Sequence, residues 1–138
     1  METEQFNWLE KELKTAKESE KFVIVVLHHP PFSSGKHGQD SDILKLQQTL
    51  LPLLEKNTVD LVFAGHDHVC ERSYRNGIYY ITSGAAGAPL YEKTFENKYR
   101  QFFSSQNNYS KILVSKNQLV IDVFDDLGAE LDHLIIKK

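Results

Sequence analysis

The stretch Phe22-Val-Ile-Val-Val-Leu27, running straight into His28-His29-Pro30-Pro31, decides the fold class. A continuous, mostly β-branched apolar run without polar alternation reads as a strand buried on both faces. That is the pattern of a parallel or mixed sheet covered by other layers. Two prolines cannot continue a ladder, so the chain leaves the sheet at the histidines. Upstream, Phe6, Leu9, Leu13 and Ala16 recur at helical spacing and predict an amphipathic helix over 4–18. Glu2 and Glu4 lie at its start and Lys14 and Lys17 near its end, the order the helix dipole favours. Downstream, Ser41 reads as an N-cap, and Ile43, Leu46, Leu50 and Leu53 form the apolar face of a second helix. Pro52 is expected to kink or end it. Asp60-Leu-Val-Phe-Ala64 and Ile78–Thr82 read as further strands, ending at Gly65 and at Ser83-Gly84. Residues 84–110 read as a long loop with one helical turn. Lys111–Val114, Leu119–Phe124 and Leu131–Ile136 then predict a β meander, with turns at Lys116-Asn117 and Asp125-Asp126-Leu-Gly128. The order α, β, α, β, β, loop, meander is a mixed α/β fold with an antiparallel finish.

Composition narrows the function classes. The 138 residues are 41% hydrophobic and 25% charged, ordinary usage for one globular domain. The single cysteine, Cys70, excludes an internal disulfide framework. A net charge of −3 advertises no basic field for nucleic acid or an anionic membrane. The longest apolar run is far too short to span a bilayer. Met1 is followed by Glu2, Thr3 and Glu4, so no export signal is readable at this end.

Three strand ends present polar groups: His28-His29, then Gly65-His66-Asp67-His68, then Ser83-Gly84. In open α/β sheets, ligands collect beyond the carboxyl ends of strands. Neutral imidazole is the commonest protein ligand for borderline metals. In an extended segment the two rings of His66-x-His68 project to the same side, and Gly65 lets the backbone turn ahead of them. Six histidines placed at random in 138 residues would give H-x-H about 0.26 times, so the pair alone is weak. By spacing alone it reads either as metal ligands or as unliganded loop histidines. The alternating directions of His28 and His29 argue against both facing one metal. His37 reads as an exposed loop histidine and His133 as a non-ligand on an edge strand. Cys70 reads as a small buried hydrophobe, Glu71-Arg72 as a local charged pair in a loop, and Trp8 as packing.

Taken together, VIVVLHHPPFSSGKHG (23–38), VDLVFAGHDHVCERS (59–73) and YYITSGAAGAPLY (79–91) resemble the calcineurin-like metallophosphoesterase superfamily. The string G-H-x-H-x-x-E-R is most similar to the purple acid phosphatase-like branch. The resemblance implies a sandwich of two mixed sheets flanked by helices, binding two metal ions (iron, manganese or zinc) and hydrolysing phosphate esters. Such a pair of cations clamps the phosphate and lowers the pKa of a shared water, whose hydroxide attacks phosphorus. By position, the resemblance implies that His28 and His66 ligate the second metal and His68 the first. It makes His29 a non-ligand. It puts His37 beside the substrate phosphate, where it would protonate the leaving oxygen.

The family's D-x-H, G-D and G-N-H motifs, which supply the bridging aspartate and the remaining ligands, do not occur here. Residues 1–138 are therefore expected to be the C-terminal part of a single metallophosphoesterase domain whose N-terminal metal-binding half is absent. The metal site is expected to be incomplete. Hydrolysis would belong to the whole protein, with this chain inactive alone. The alternatives are a non-catalytic module that self-associates or binds a partner, and a mononuclear site built from His28, His66 and His68. The expected partners are a phosphate-ester substrate and a second copy, docked through the exposed half-domain surface; neither nucleic acid nor membrane is expected. Segments 33–41 and 85–110 are expected to be disordered where the missing half would pack.

Overall fold

The computed structural model describes residues 3–19 and 21–138. Its elements in chain order are α1 (Glu4–Lys17), β1 (Ile24–Leu27), α2 (Ser41–Lys56), β2 (Leu61–Ala64), β3 (Cys70–Arg75), β4 (Ile78–Ser83), β5 (Arg100–Ser104), β6 (Asn108–Val114), β7 (Gln118–Asp125) and β8 (Glu130–Lys137). Side-chain alternation along the strands sets the layers. Val25, Val62, Ile78 and Tyr80 face one side of a five-stranded sheet and pack with Leu13, Leu50, Leu53 and Leu54 of the two helices. Leu61 and Ile81 face the other side and pack with Leu119, Ile121, Val123 and Leu134 of a three-stranded sheet. The layers are thus helices, mixed sheet, meander.

The first sheet has the order β1-β2-β4-β3-β5. β1, β2 and β4 are parallel, and β3 and β5 add antiparallel. β6, β7 and β8 form an antiparallel meander. The fold class is the mixed α/β arrangement with a terminal meander that the sequence implies. No helix among the described residues is long and apolar enough to cross a membrane.

Several local expectations are corrected. β1 lies at a sheet edge, with Val26 77% exposed, so the β-branched run is buried on one side and half-open on the other. α2 does not stop at Pro52; it continues to Lys56, because Leu50, Leu51, Leu53 and Leu54 are buried on both sides of an exposed proline. Its N-cap is Asp40 rather than Ser41. Trp8 is 58% exposed and does not serve as packing. The predicted place of Glu2 at the start of α1 lies outside the described residues.

β3 and β5 fall in segments read as loop. Asn76 (φ +50°) and Gly77 (φ +87°) form the left-handed pair that a tight β3–β4 hairpin needs. The segments expected to be disordered instead clamp one another. Ser34 C=O accepts from Thr94 and Phe95 N–H at 2.8 and 2.9 Å. The buried Glu71 carboxylate accepts from Ser34 N–H (2.6 Å) and Asn97 Nδ2 (2.7 Å), and Arg100 Nη1 donates to Ser34 Oγ (2.7 Å). Glu71 and Arg72 are therefore not a pair, since they point to opposite faces of β3.

Candidate metal centre

Parallel pairing brings the histidines together. Leu27 is the register partner of Ala64, so β1 and β2 end side by side. Gly65 N–H continues the ladder to His28 C=O at 3.0 Å. One residue on, the His66 imidazole meets that of His28, with Nδ1 of His66 3.1 Å from Nε2 of His28. The His29 ring also joins them, its centroid 4.8 Å from that of His28 and 4.2 Å from that of His66. Alternation does not separate the two rings because the chain leaves the ladder directly after His28, ahead of Pro30.

The G-H-D-H segment is a bend, not an extended strand. Asp67 N–H bonds Gly65 C=O at 2.7 Å, and Val69 N–H bonds Asp67 C=O at 2.8 Å. The left-handed residue is His66 itself, at φ +62°, not Gly65. A β-carbon-bearing residue in this region is strained, and such strain collects at functional sites. Asp67 is fully buried and holds the neighbouring loop: its carboxylate accepts from Ser33 Oγ at 2.5 Å and from His37 N–H at 3.2 Å. This carries the His37 ring to 4.8 Å from His66. His37 Nδ1 lies 2.8 Å from Asp40 Oδ2 at the start of α2, and His29 Nε2 lies 3.5 Å from Asp42 Oδ2.

His68 occupies a different place. Its ring stacks on Tyr91 at 4.5 Å and 15°, and its Nδ1 donates to Pro89 C=O at 2.8 Å. That bond fixes the tautomer and leaves Nε2 with the free lone pair. Tyr91 also touches His37, at 5.6 Å between centroids. His66 is held below its ordinary histidine pKa of 6.5, first by burial and then by its neighbours His29, His37 and His28. A neutral ring is the form that ligates metal.

Three groups of potential ligands among the described residues bring their atoms within 4.8 Å of one another: His28, His29 and His66; His37, Asp40 and His66; Asp122, Glu130 and His133. The first two could hold a metal at the strand ends. They share His66 and so adjoin one another. The third lies on the outer face of the meander, where His133 Nδ1 is 2.7 Å from Asp122 Oδ1. No carboxylate belongs to the three-histidine group, and Asp67 is turned away into Ser33 and His37. This donor set does not fit a pair of ions bridged by a carboxylate. The structure brings His29, which reads from the sequence as a non-ligand, and also Asp40, Asp42 and Tyr91 to this cluster. The three-residue spacing of His37 and Asp40 was the available signal for one of them.

Residues 1–70 match the family described as calcineurin-like phosphoesterase. Purple acid phosphatase 3 of Arabidopsis thaliana is 34% identical over 92% of this chain and 36% of its own length. The solved structure of GAP50, described as the anchor in the inner membrane complex of Plasmodium, superposes with a TM-score of 0.84 at 31% identity, over 96% of this chain and 41% of that one. Purple acid phosphatase PPD1 from yellow lupin (Lupinus luteus) seeds shares the fold, with a TM-score of 0.78 at 21% identity, over 99% of this chain and 28% of that one. The chain thus spans well under half the length of each of these proteins.

Proposed function

The chain belongs to the calcineurin-like phosphoesterase family, on its purple acid phosphatase-like branch, and from that premise we propose that it forms one wall of the site of a metal-dependent phosphoric ester hydrolase. The observation that carries this reading is the meeting of His28 Nε2 and His66 Nδ1, 3.1 Å apart, at the carboxyl ends of adjacent parallel strands. In this role residues 1–138 act as the C-terminal part of one metallophosphoesterase domain. A metal bound there supplies Lewis acidity and an activated water. His28 and His66 would hold one ion, and His68, whose Nδ1 is taken by Pro89, would offer its Nε2 to another. An iron, manganese or zinc pair would need a carboxylate that the His28, His29 and His66 group does not supply.

His37 is the residue proposed to move a proton. Asp40 holds its Nδ1, which leaves Nε2 to exchange a proton with the leaving oxygen of a phosphate ester. Asp67 fixes the backbone at His37, so the ring is positioned by the same bend that carries His66. Alone, the chain is expected to be inactive.

The test is hydrolysis of para-nitrophenyl phosphate with zinc, manganese or iron. The chain alone should show no turnover. Added to a polypeptide carrying the D-x-H, G-D and G-N-H motifs of a purple acid phosphatase, it should restore turnover, and His66→Asn should abolish it. Turnover by the chain alone would show the site to be complete. Failure of complementation would count against the hydrolase role.

A second reading, a non-catalytic module, is favoured by the open edge of β1. Trp8 and Val26, 58% and 77% exposed, line a groove there that also contains His28 and His29. Two copies meeting at this edge would form a homodimer. Sedimentation of the chain and of Val26→Lys checks this: a dimer that the lysine dissolves supports it, and a monomer throughout removes it.

A further inference from the structure

We propose that His28, His29 and His66 together hold a single divalent transition ion in this chain, a three-imidazole site in which His29 takes the place of a third ligand from elsewhere. The proposal rests on reading the strand-end cluster as the metal centre, and it specifies ligands that reading leaves open.

Two nitrogens on a tetrahedral zinc sit about 3.3 Å apart, given bonds near ~2.05 Å. His28 Nε2 and His66 Nδ1 are at 3.1 Å, so the pair already has the bite of two ligands on one ion. All three rings offer a nitrogen within 4.8 Å of the others. Three imidazoles leaving a fourth position open is a recognised zinc arrangement. The centroids, 4.2–5.0 Å apart with mutually inclined planes, show rings converging on a shared space rather than stacking.

The surroundings suit an ion. Asp42 stands 3.5 Å from His29 Nε2. Carboxylates behind metal-site histidines orient the rings and raise their basicity. The strained φ of His66 is held by the buried Asp67 that follows it, so the ring is aimed before any ion arrives. The donor set is all nitrogen. It therefore selects zinc, nickel, cobalt or copper over magnesium or manganese, which prefer oxygen.

The experiment is calorimetric titration of the full chain with zinc chloride at neutral pH, in a His133→Ala background so that the Asp122–Glu130–His133 group does not contribute. One zinc per chain is expected. His28→Ala, His29→Ala and His66→Asn should each weaken it by at least ~10-fold. Asparagine is used at 66 because it tolerates the left-handed backbone. His68→Ala should leave the affinity unchanged. Equal affinity in His29→Ala, loss of zinc in His68→Ala, or no binding by the background chain would each overturn the proposal. Zinc kept by His29→Ala but lost by His68→Ala overturns this ligand set and leaves the hydrolase reading standing. Failure of the complementation assay removes that reading without touching the titration.

Discussion

Arg72 and Asp132 tie the two sheets together. Nε and Nη2 of Arg72 on β3 donate to Oδ2 and Oδ1 of Asp132 on β8, at 2.7 and 3.0 Å. The side chains are only 15% and 10% exposed, so removing one strands a charge in a poorly hydrated gap. Arg72→Ala and Asp132→Ala are each expected to destabilise by about 3 kcal/mol. The double variant should lose clearly less than the sum, measured by urea unfolding as a double-mutant cycle. Strict additivity would mean that the pair does not couple.

This contact also shows where the sequence stops being legible. The layers follow from alternation: Leu61 against Val62, and Tyr79 against Tyr80, could be assigned to opposite faces without coordinates. β3 could not be found that way, because Cys-Glu-Arg-Ser-Tyr-Arg is mostly polar and its polar groups are satisfied from far along the chain: Glu71 by Ser34 and Asn97, Arg72 by Asp132. The Asn76-Gly77 dipeptide was the local clue. At the site, strand ends pointed to His28 and His66. The inclusion of His29 and the separate place of His68 depend on backbone that has left the ladder, at Pro30 and in the Gly65–Val69 bend, and no period describes such backbone.

Gly84 and Gly65 flank that bend and should respond oppositely to alanine. A β-carbon at Gly84 would lie 2.1 Å from Asp67 C=O, whereas at Gly65 it would meet only His28 C=O at 4.0 Å. Gly84→Ala is expected to cost about 3 kcal/mol and to disturb the His66 resonances, since the bend must move. Gly65→Ala should stabilise by about 0.5 kcal/mol through the unfolded chain. Thermal unfolding of the two variants checks both signs.

Cys70 should be inert. It is 1% exposed, and burial pushes its thiol pKa up to about 12. An aromatic disulfide reagent at pH 8 should label no thiol in the folded chain and one per chain in denaturant. Rapid labelling without denaturant would show that β3 opens.

His66 should make the metal-free chain sensitive to acid. Its folded pKa lies below the ordinary 6.5, so the folded state resists protonation more than the unfolded state does. Stability should therefore be full above pH 6.5. It should fall as pH drops from there to the lowered folded value and level off below it. Urea midpoints at pH 7.5 and pH 5 measure this, and His66→Asn should flatten the difference. An unchanged pH dependence in that variant would assign it to other groups.

The central claim is that this chain carries one nitrogen-lined half of a metal centre, not a complete two-ion site. Elemental analysis after incubation with zinc or with manganese, and removal of excess, addresses it most directly. The account predicts close to one zinc and almost no manganese per chain, with the zinc kept in His133→Ala and lost in His66→Asn. Two tightly held ions per chain that survive His133→Ala would contradict it, because a second ion would require ligands that the His28, His29 and His66 cluster does not provide.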